Sequence, residues 1–201
     1  MANIETLFGF PFYKSKLEFK QSIIDNLLRL PYQRWDNGFI SESNYVLNLP
    51  KFKNLLTDIL RHSEIFFRQY LRINEKNKFK LTTSWTVKHV TGDYAPNHMH
   101  QNAMFSGIVY LQTDDNSGVI SFAPPARSYL DSLIALDFDE ENIYNSSKFS
   151  FVPKKYDIII FPSCLYHQVS ICNSNQERLI IGFNFFPYGT FLNGISELTL
   201  K

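Results

Sequence analysis

In the stretch Tyr156-Asp157-Ile158-Ile159-Ile160-Phe161-Pro162-Ser163-Cys164-Leu165-Tyr166-His167-Gln168-Val169, a short apolar run stops at a proline and resumes toward a histidine. A run this short, rich in β-branched residues and bounded by turn formers, reads as a strand. The same texture recurs on both sides of it. Downstream lies Arg178-Leu179-Ile180-Ile181-Gly182-Phe183-Asn184-Phe185-Phe186, and upstream lie 118–122, 104–112 and 83–90. Gly, Pro, Asn and Asp punctuate the intervals. Many short strands over an aromatic core predict a mostly β protein with flanking helices, its core a double-sheet jelly roll or barrel.

Before residue 79 the period is helical. Phe19, Ile23, Ile24, Leu27 and Leu28 mark one helix that ends ahead of Pro31. Leu55, Leu56, Ile59, Leu60, Ser63, Phe66, Phe67 and Tyr70 mark another over 52–71. His62 falls beside that apolar face and is expected at the surface or in a cap. Residues 7–13, interrupted by Pro11, predict an edge strand, and Asp36-Asn37-Gly38 lies in a turn-rich stretch. The expected organisation is one domain, 1–201. Residues 1–78 give an N-terminal strand and supporting helices, and 79–201 the β core. Residues 124–150 form an insertion loop, with a short helix at 128–136 and an acidic group at Asp137, Asp139, Glu140 and Glu141. It is either a lid or a solvated excursion.

Composition removes several classes. With 44% hydrophobic and 19% charged residues, the 201-residue chain is not a disordered one. A net charge of +1 gives no basis for an electrostatic nucleic-acid binder. No apolar run reaches the length of a membrane span, and residues 1–14 lack the pattern of a signal peptide. Cys164 and Cys172 do not make a disulfide framework. The expectation is a soluble, cytoplasmic protein with reduced thiols.

Three of the five histidines fall in suggestive places. His98-Met99-His100 follows the turn Gly92-Asp93-Tyr94-Ala95-Pro96. On an extended strand, residues i and i+2 share a face, so both imidazoles would converge. His167 lies downstream, after the apolar run. Two ligands from one strand and one from another could hold iron, zinc, copper or nickel and leave positions open for substrate. The alternative is three unrelated surface histidines. Arg178 opens an apolar strand, where a charge is costly unless paired. Its fork suits a planar carboxylate; otherwise it lies outside the barrel, paired with Glu177 or solvent. The Tyr110 hydroxyl could serve the same anion, or could be satisfied within the core.

Taken together, Leu7-Phe8, His98-Met99-His100, Ser106-Gly107, Tyr110-Leu111, Ser117-Gly118, Phe161-Pro162-Ser163, His167, Arg178 and Phe183-Asn184-Phe185 resemble the 2-oxoglutarate/Fe(II)-dependent oxygenases. The likeness is to uncharacterised phage and bacterial members with a His-x-His and a distal His, and it is most specific over 92–188. The resemblance implies a double-stranded β-helix (cupin-like) core. It implies Fe(II) on His98, His100 and His167, with 2-oxoglutarate and O2 as co-substrates. Tyr110 and Arg178 would then take the far carboxylate of 2-oxoglutarate, and the outcome would be a hydroxylase-type reaction. Trp85, Asn102, Asn184 and Arg127 are carried as pocket residues, with Phe105 and Phe186 as further candidates whose alternative is core packing.

Two positions depart from the family pattern. His100 stands where a carboxylate ligand is usual, and Ile180 where many relatives carry a serine. Asp93 and Asn102 are the alternative third ligands. Two rival functions stay open: a three-His cupin-type dioxygenase that does not use 2-oxoglutarate, and a non-catalytic jelly-roll module, for example of a virion. The prime substrate is open among protein side chains, nucleobases, sugars and small metabolites, with no membrane partner. A phage-encoded member would act in the host cytoplasm.

Overall fold

The strand expected at 156–161 is β9 (Asp157–Pro162), and Ile158, Ile159, Ile160 and Phe161 are all fully buried. An antiparallel strand with one wet face would alternate; this one is covered on both sides. The computed structural model of the chain, which describes residues 9–35, 37–123, 137–140, 142, 144–192 and 194–200, shows what covers it.

A large antiparallel sheet runs in the order β1 (Tyr13–Lys16), β9, β6 (Phe105–Gln112), β11 (Arg178–Phe191), β4 (Lys78–His89), β3 (Gly38–Ser41), β2 (Tyr32–Trp35). β12 (Leu198–Leu200) pairs with the far end of β11. A smaller sheet runs β5 (Ala95–His98), β10 (Tyr166–Val169), β7 (Ile120–Ala123), β8 (Phe149–Phe151). Side chains alternate across a strand, so β6, β9 and β11 feed two cores. Phe105, Val109, Ile158, Ile160, Ile181, Phe183 and Phe185 pack with the helices α1 (Gln21–Leu28) and α2 (Lys53–Glu64). Ile108, Tyr110, Ile159, Phe161 and Ile180 face the small sheet and meet Ile120, Phe122 and Val169. The result is a jelly-roll sandwich backed by helices.

The helix expected over 52–71 is α2, whose continuation at Ile65–Tyr70 widens into a π-helical turn. His62 departs from its expected place: it is buried, and its Nδ1 shares a 2.7 Å hydrogen bond with the Tyr13 hydroxyl. α2 packs near β1, so the face flanking its apolar stripe is also covered. The N-terminal edge strand lies at Tyr13–Lys16 rather than 7–13. The turn-rich stretch around Gly38 is the hairpin of β2 and β3, whose β2 residues are mostly exposed and so carry no apolar alternation. Within the insertion, the expected helix at 128–136 and Glu141 lie outside the described residues. Both cysteines are free. Among the described residues no helix is long and apolar enough to cross a membrane.

Candidate metal and anion site

β5 and β10 are neighbours in the small sheet, and His98 is the direct cross-strand partner of His167. His100 does not share that strand, as the His-x-His spacing predicted; β5 ends at His98. His100 reaches the same point from the following loop, which is tied down by the His100 N–H donating to the Ser163 carbonyl at 3.1 Å. Its ring leans on Trp85, with centroids 5.4 Å apart. The ligand-capable atoms of His98, His100 and His167 lie within 4.8 Å of one another. That cluster could hold one metal ion.

The nitrogens are prepared for that role. His98 Nδ1 lies 2.7 Å from the Pro96 carbonyl and His167 Nδ1 3.1 Å from that of Leu165. A carbonyl only accepts, so each Nδ1 carries a proton, and in the neutral ring Nε2 is the nitrogen left to bind a metal. Burial, with the neighbouring imidazoles adding to it, pushes His167 down to about 3 and His100 down to about 4. Both rings are therefore neutral at pH 7, as metal binding requires. Phe122 and Phe161 pack on the His167 ring at 5.6 and 5.1 Å.

In the same sandwich interior, Tyr110 belongs to the apolar cluster that contains Phe122 and Phe161. It faces Arg178, whose guanidinium carbon lies 5.6 Å from the Tyr110 ring centre. Arg178 is 3% exposed and has no carboxylate within ion-pair reach among the described residues. The surface pairing with Glu177 that the sequence left open is not formed. Arg178 Nη1 donates to His89 Nδ1 at 3.1 Å, while its Nε and the Tyr110 hydroxyl have no partner of acceptable geometry. Burial pushes the tyrosine up to about 12, partly offset by the guanidinium, so it stays a donor. Burial likewise lowers the Arg178 pKa. A buried cation beside a buried hydroxyl whose nearest polar neighbour is that guanidinium makes a ready receptor for a carboxylate.

The other candidates divide. Trp85 is half-buried beside His100; its indole lies across Gly182, where a Cβ would come within 2.7 Å of the ring. Asn184 is buried with both amide atoms in use: its Oδ1 accepts from Ser106 at 2.7 Å and its Nδ2 donates to Thr83 at 3.1 Å. Ser106 also bonds the Ser163 hydroxyl at 2.8 Å. Asn102 is exposed, with φ at 55°. Arg127 lies outside the described residues. Phe105 belongs to the helix-side core against Phe66 and Phe67, not to this interior, because its strand parity points it away. Phe186 is half-buried, beyond a bulge at Asn184/Phe185. Asp93 is turned to Arg34, at 2.8 Å, and to the Val90 N–H, and is outside the histidine cluster. His89 was not singled out from the sequence. Only its register opposite Arg178 gives it a role.

The family model for putative 2OG-Fe(II) oxygenases matches residues 83–184, a span containing the three histidines, Tyr110 and Arg178. The chain belongs to that family. It is a 2-oxoglutarate-dependent oxygenase, working with Fe(II), 2-oxoglutarate and O2. No curated protein sequence matches it. Among solved structures, the oxygenase resembles the carbocyclase SnoK of nogalamycin biosynthesis (TM-score 0.62, 9% identity, covering 92% of this chain and 83% of that one). It also resembles HygX from Streptomyces hygroscopicus with nickel, 2-oxoglutarate and hygromycin B bound (TM-score 0.59, 11% identity, 87% and 82%). A third is the viral collagen prolyl hydroxylase of Paramecium Bursaria Chlorella virus-1 in its 2-oxoglutarate complex (TM-score 0.54, 13% identity, 87% and 94%). At these identities the likeness carries the fold. The donor set is suited to the family's co-substrates: imidazole suits a divalent iron, and the idle Arg178 Nε and Tyr110 hydroxyl suit a carboxylate.

Proposed function

We propose that this oxygenase is a hydroxylase-type enzyme in which His98, His100 and His167 hold Fe(II), while Arg178 and Tyr110 take the far carboxylate of 2-oxoglutarate. One observation carries the reading. Arg178 is a buried cation without an acidic partner among the described residues, beside a buried hydroxyl that has none either. Such an arrangement is costly to keep unless a ligand completes it.

When bound, Fe(II), 2-oxoglutarate and O2 supply the oxidising chemistry that ends in succinate, CO2 and an oxidised prime substrate. The protein binds, orients and excludes water. Pro96 and Leu165 hold His98 and His167 in the Nδ1–H tautomer and aim Nε2 at the metal. Three neutral imidazoles add no charge to the ion, so the dianionic co-substrate is the main anion it meets. Arg178 donates from a fixed planar fork and Tyr110 keeps its proton to donate. Phe122, Phe161, Ile108 and Ile159 keep the surroundings apolar, which strengthens each of these contacts. Trp85 forms a wall on the substrate side. Asn184, with its amide fully engaged, braces Ser106 and, through it, Ser163, whose carbonyl holds His100.

The test is an anaerobic titration of the Fe(II)-loaded protein with 2-oxoglutarate. A visible metal-to-ligand charge-transfer band is expected, followed by succinate formation when O2 is admitted. Iron bound at full stoichiometry with no band would overturn the reading.

A further inference from the structure

His89 sits in β4 as the register partner of Arg178 in β11. It is 4% exposed, and its side chain's one hydrogen bond among the described residues is the one it receives from Arg178 Nη1. We propose that His89 is a positioning residue for the co-substrate. Its Nδ1 occupies one arm of the guanidinium and fixes the plane of the fork, which leaves Nε–H and the Tyr110 hydroxyl for the far carboxylate of 2-oxoglutarate. The proposal rests on the assignment of Arg178 made above.

Three features support it. An arginine on flexible methylenes would otherwise sample several orientations, and a ligand would have to freeze them. Here the partner is itself held: Gly38 in β3 packs so closely on the imidazole that a Cβ there would lie 2.7 Å from its Cδ2 and 2.9 Å from its Nε2. The partner is also neutral. A carboxylate in place of His89 would neutralise Arg178 and compete with the ligand, whereas an imidazole accepts a hydrogen bond and leaves the positive charge for 2-oxoglutarate.

The surroundings enforce that neutrality. Burial is the main cause, and the Arg178 charge from β11 adds to it. Arg34 from β2 acts in the same sense, while Asp93 from the turn after β4 opposes them. The balance puts His89 at about 4. At neutral pH the proton therefore sits on Nε2 alone, and Nδ1 keeps the lone pair that Arg178 uses.

The experiment has two arms. The first is nitrogen-15 NMR of the wild-type protein without 2-oxoglutarate, which needs no variant. His89 should show an unprotonated Nδ1 and a protonated Nε2 at pH 7. A protonated Nδ1 overturns the proposal. The second is calorimetric titration of 2-oxoglutarate into Mn(II)-loaded wild type, His89→Leu, His89→Asn and Arg178→Met. Outer partners that orient a binding group typically matter about 10- to 100-fold, so His89→Leu should weaken 2-oxoglutarate by that factor and leave Mn(II) affinity within about twofold. Asn, whose Oδ1 can stand where Nδ1 stood, should recover most of the loss. If Arg178→Met weakens binding and His89→Leu does not, the His89 proposal fails alone. If Arg178→Met leaves binding unchanged, the assignment of the anion end fails and takes this proposal with it.

Discussion

Arg178→Met should separate function from stability. Without ligand, the guanidinium is held in an apolar interior by one hydrogen bond from Nη1 to His89 and by the face of Tyr110. Replacing a buried charge by an apolar group of similar length is often neutral, or stabilising by about 1–4 kcal/mol. Against this, His89 Nδ1 loses its donor, which costs about 1–3 kcal/mol. The two nearly cancel, so the unliganded variant should unfold within about 2 kcal/mol of wild type. With ligand, the outcome is one-sided. Losing a buried charge-assisted contact costs on the order of 2–5 kcal/mol, or roughly 30- to several-thousand-fold in Kd. Denaturant melts of the Mn(II)-loaded proteins, with and without 2-oxoglutarate, read both quantities at once. At a concentration of 2-oxoglutarate 100 times the wild-type Kd, wild type should gain about 2.7 kcal/mol and the variant at most about 0.9 kcal/mol. Lysine should recover part of the binding only, as it lacks the planar fork. A shift in Kd below about threefold removes Arg178 from the site. A loss of more than about 4 kcal/mol without ligand makes it a structural residue instead.

His98→Ala and His167→Ala should each abolish iron binding with an unchanged circular dichroism spectrum; full iron stoichiometry in either would refute the ligand assignment. His100→Asp should retain iron and hold it at least as tightly, since it adds a negative charge; iron lost from a normally folded variant would show that the longer imidazole is needed to reach the metal. Gly182→Ala places a methyl group 2.7 Å from the Trp85 ring, so overpacking should cost about 1–3 kcal/mol and shift the tryptophan emission; unchanged melting and emission would refute the close approach. His89 adds a pH signature. Folded, it resists protonation down to about 4, whereas the unfolded chain takes the proton near 6.5, so its share of stability is present above pH 6.5 and lost as the pH falls toward 4. Between pH 7 and pH 4, wild type should lose roughly 3 kcal/mol more than His89→Asn; equal losses would show that His89 titrates normally.

The β core was legible because β6, β9 and β11 are buried on both faces and announce themselves as apolar runs. His98 and His100 stood out by their spacing, His167 because it follows such a run, and Arg178 because it opens one. Partnership was not legible. His89 and Arg178 are 89 residues apart, and only the antiparallel register of β4 and β11 makes them neighbours. Tertiary contacts also decided His62, which its own helix places beside the apolar stripe and Tyr13 draws into the interior. The β2–β3 hairpin escaped notice because its exposed residues alternate in nothing. β5 was misplaced: Pro96 was read into the preceding turn and the strand was expected to carry both His98 and His100, whereas it runs Ala95–His98. The spacing of His98 and His100 suggested convergence for the wrong reason: strand alternation was assumed, while the loop's hydrogen bond to Ser163 does the work.

The pairing of His98 with His167 also bears on local stability. β5 is a four-residue strand at the margin of its sheet, held on one side only, and its ladder to β10 carries a register shift. A short edge strand paired on one side opens at a low free energy. A metal joining the two rings would act as a removable rivet across that ladder. Amide exchange along β5 should then slow on metal loading far more than exchange in β9. In this oxygenase the strand held most weakly is then the one that carries His98 into the histidine cluster.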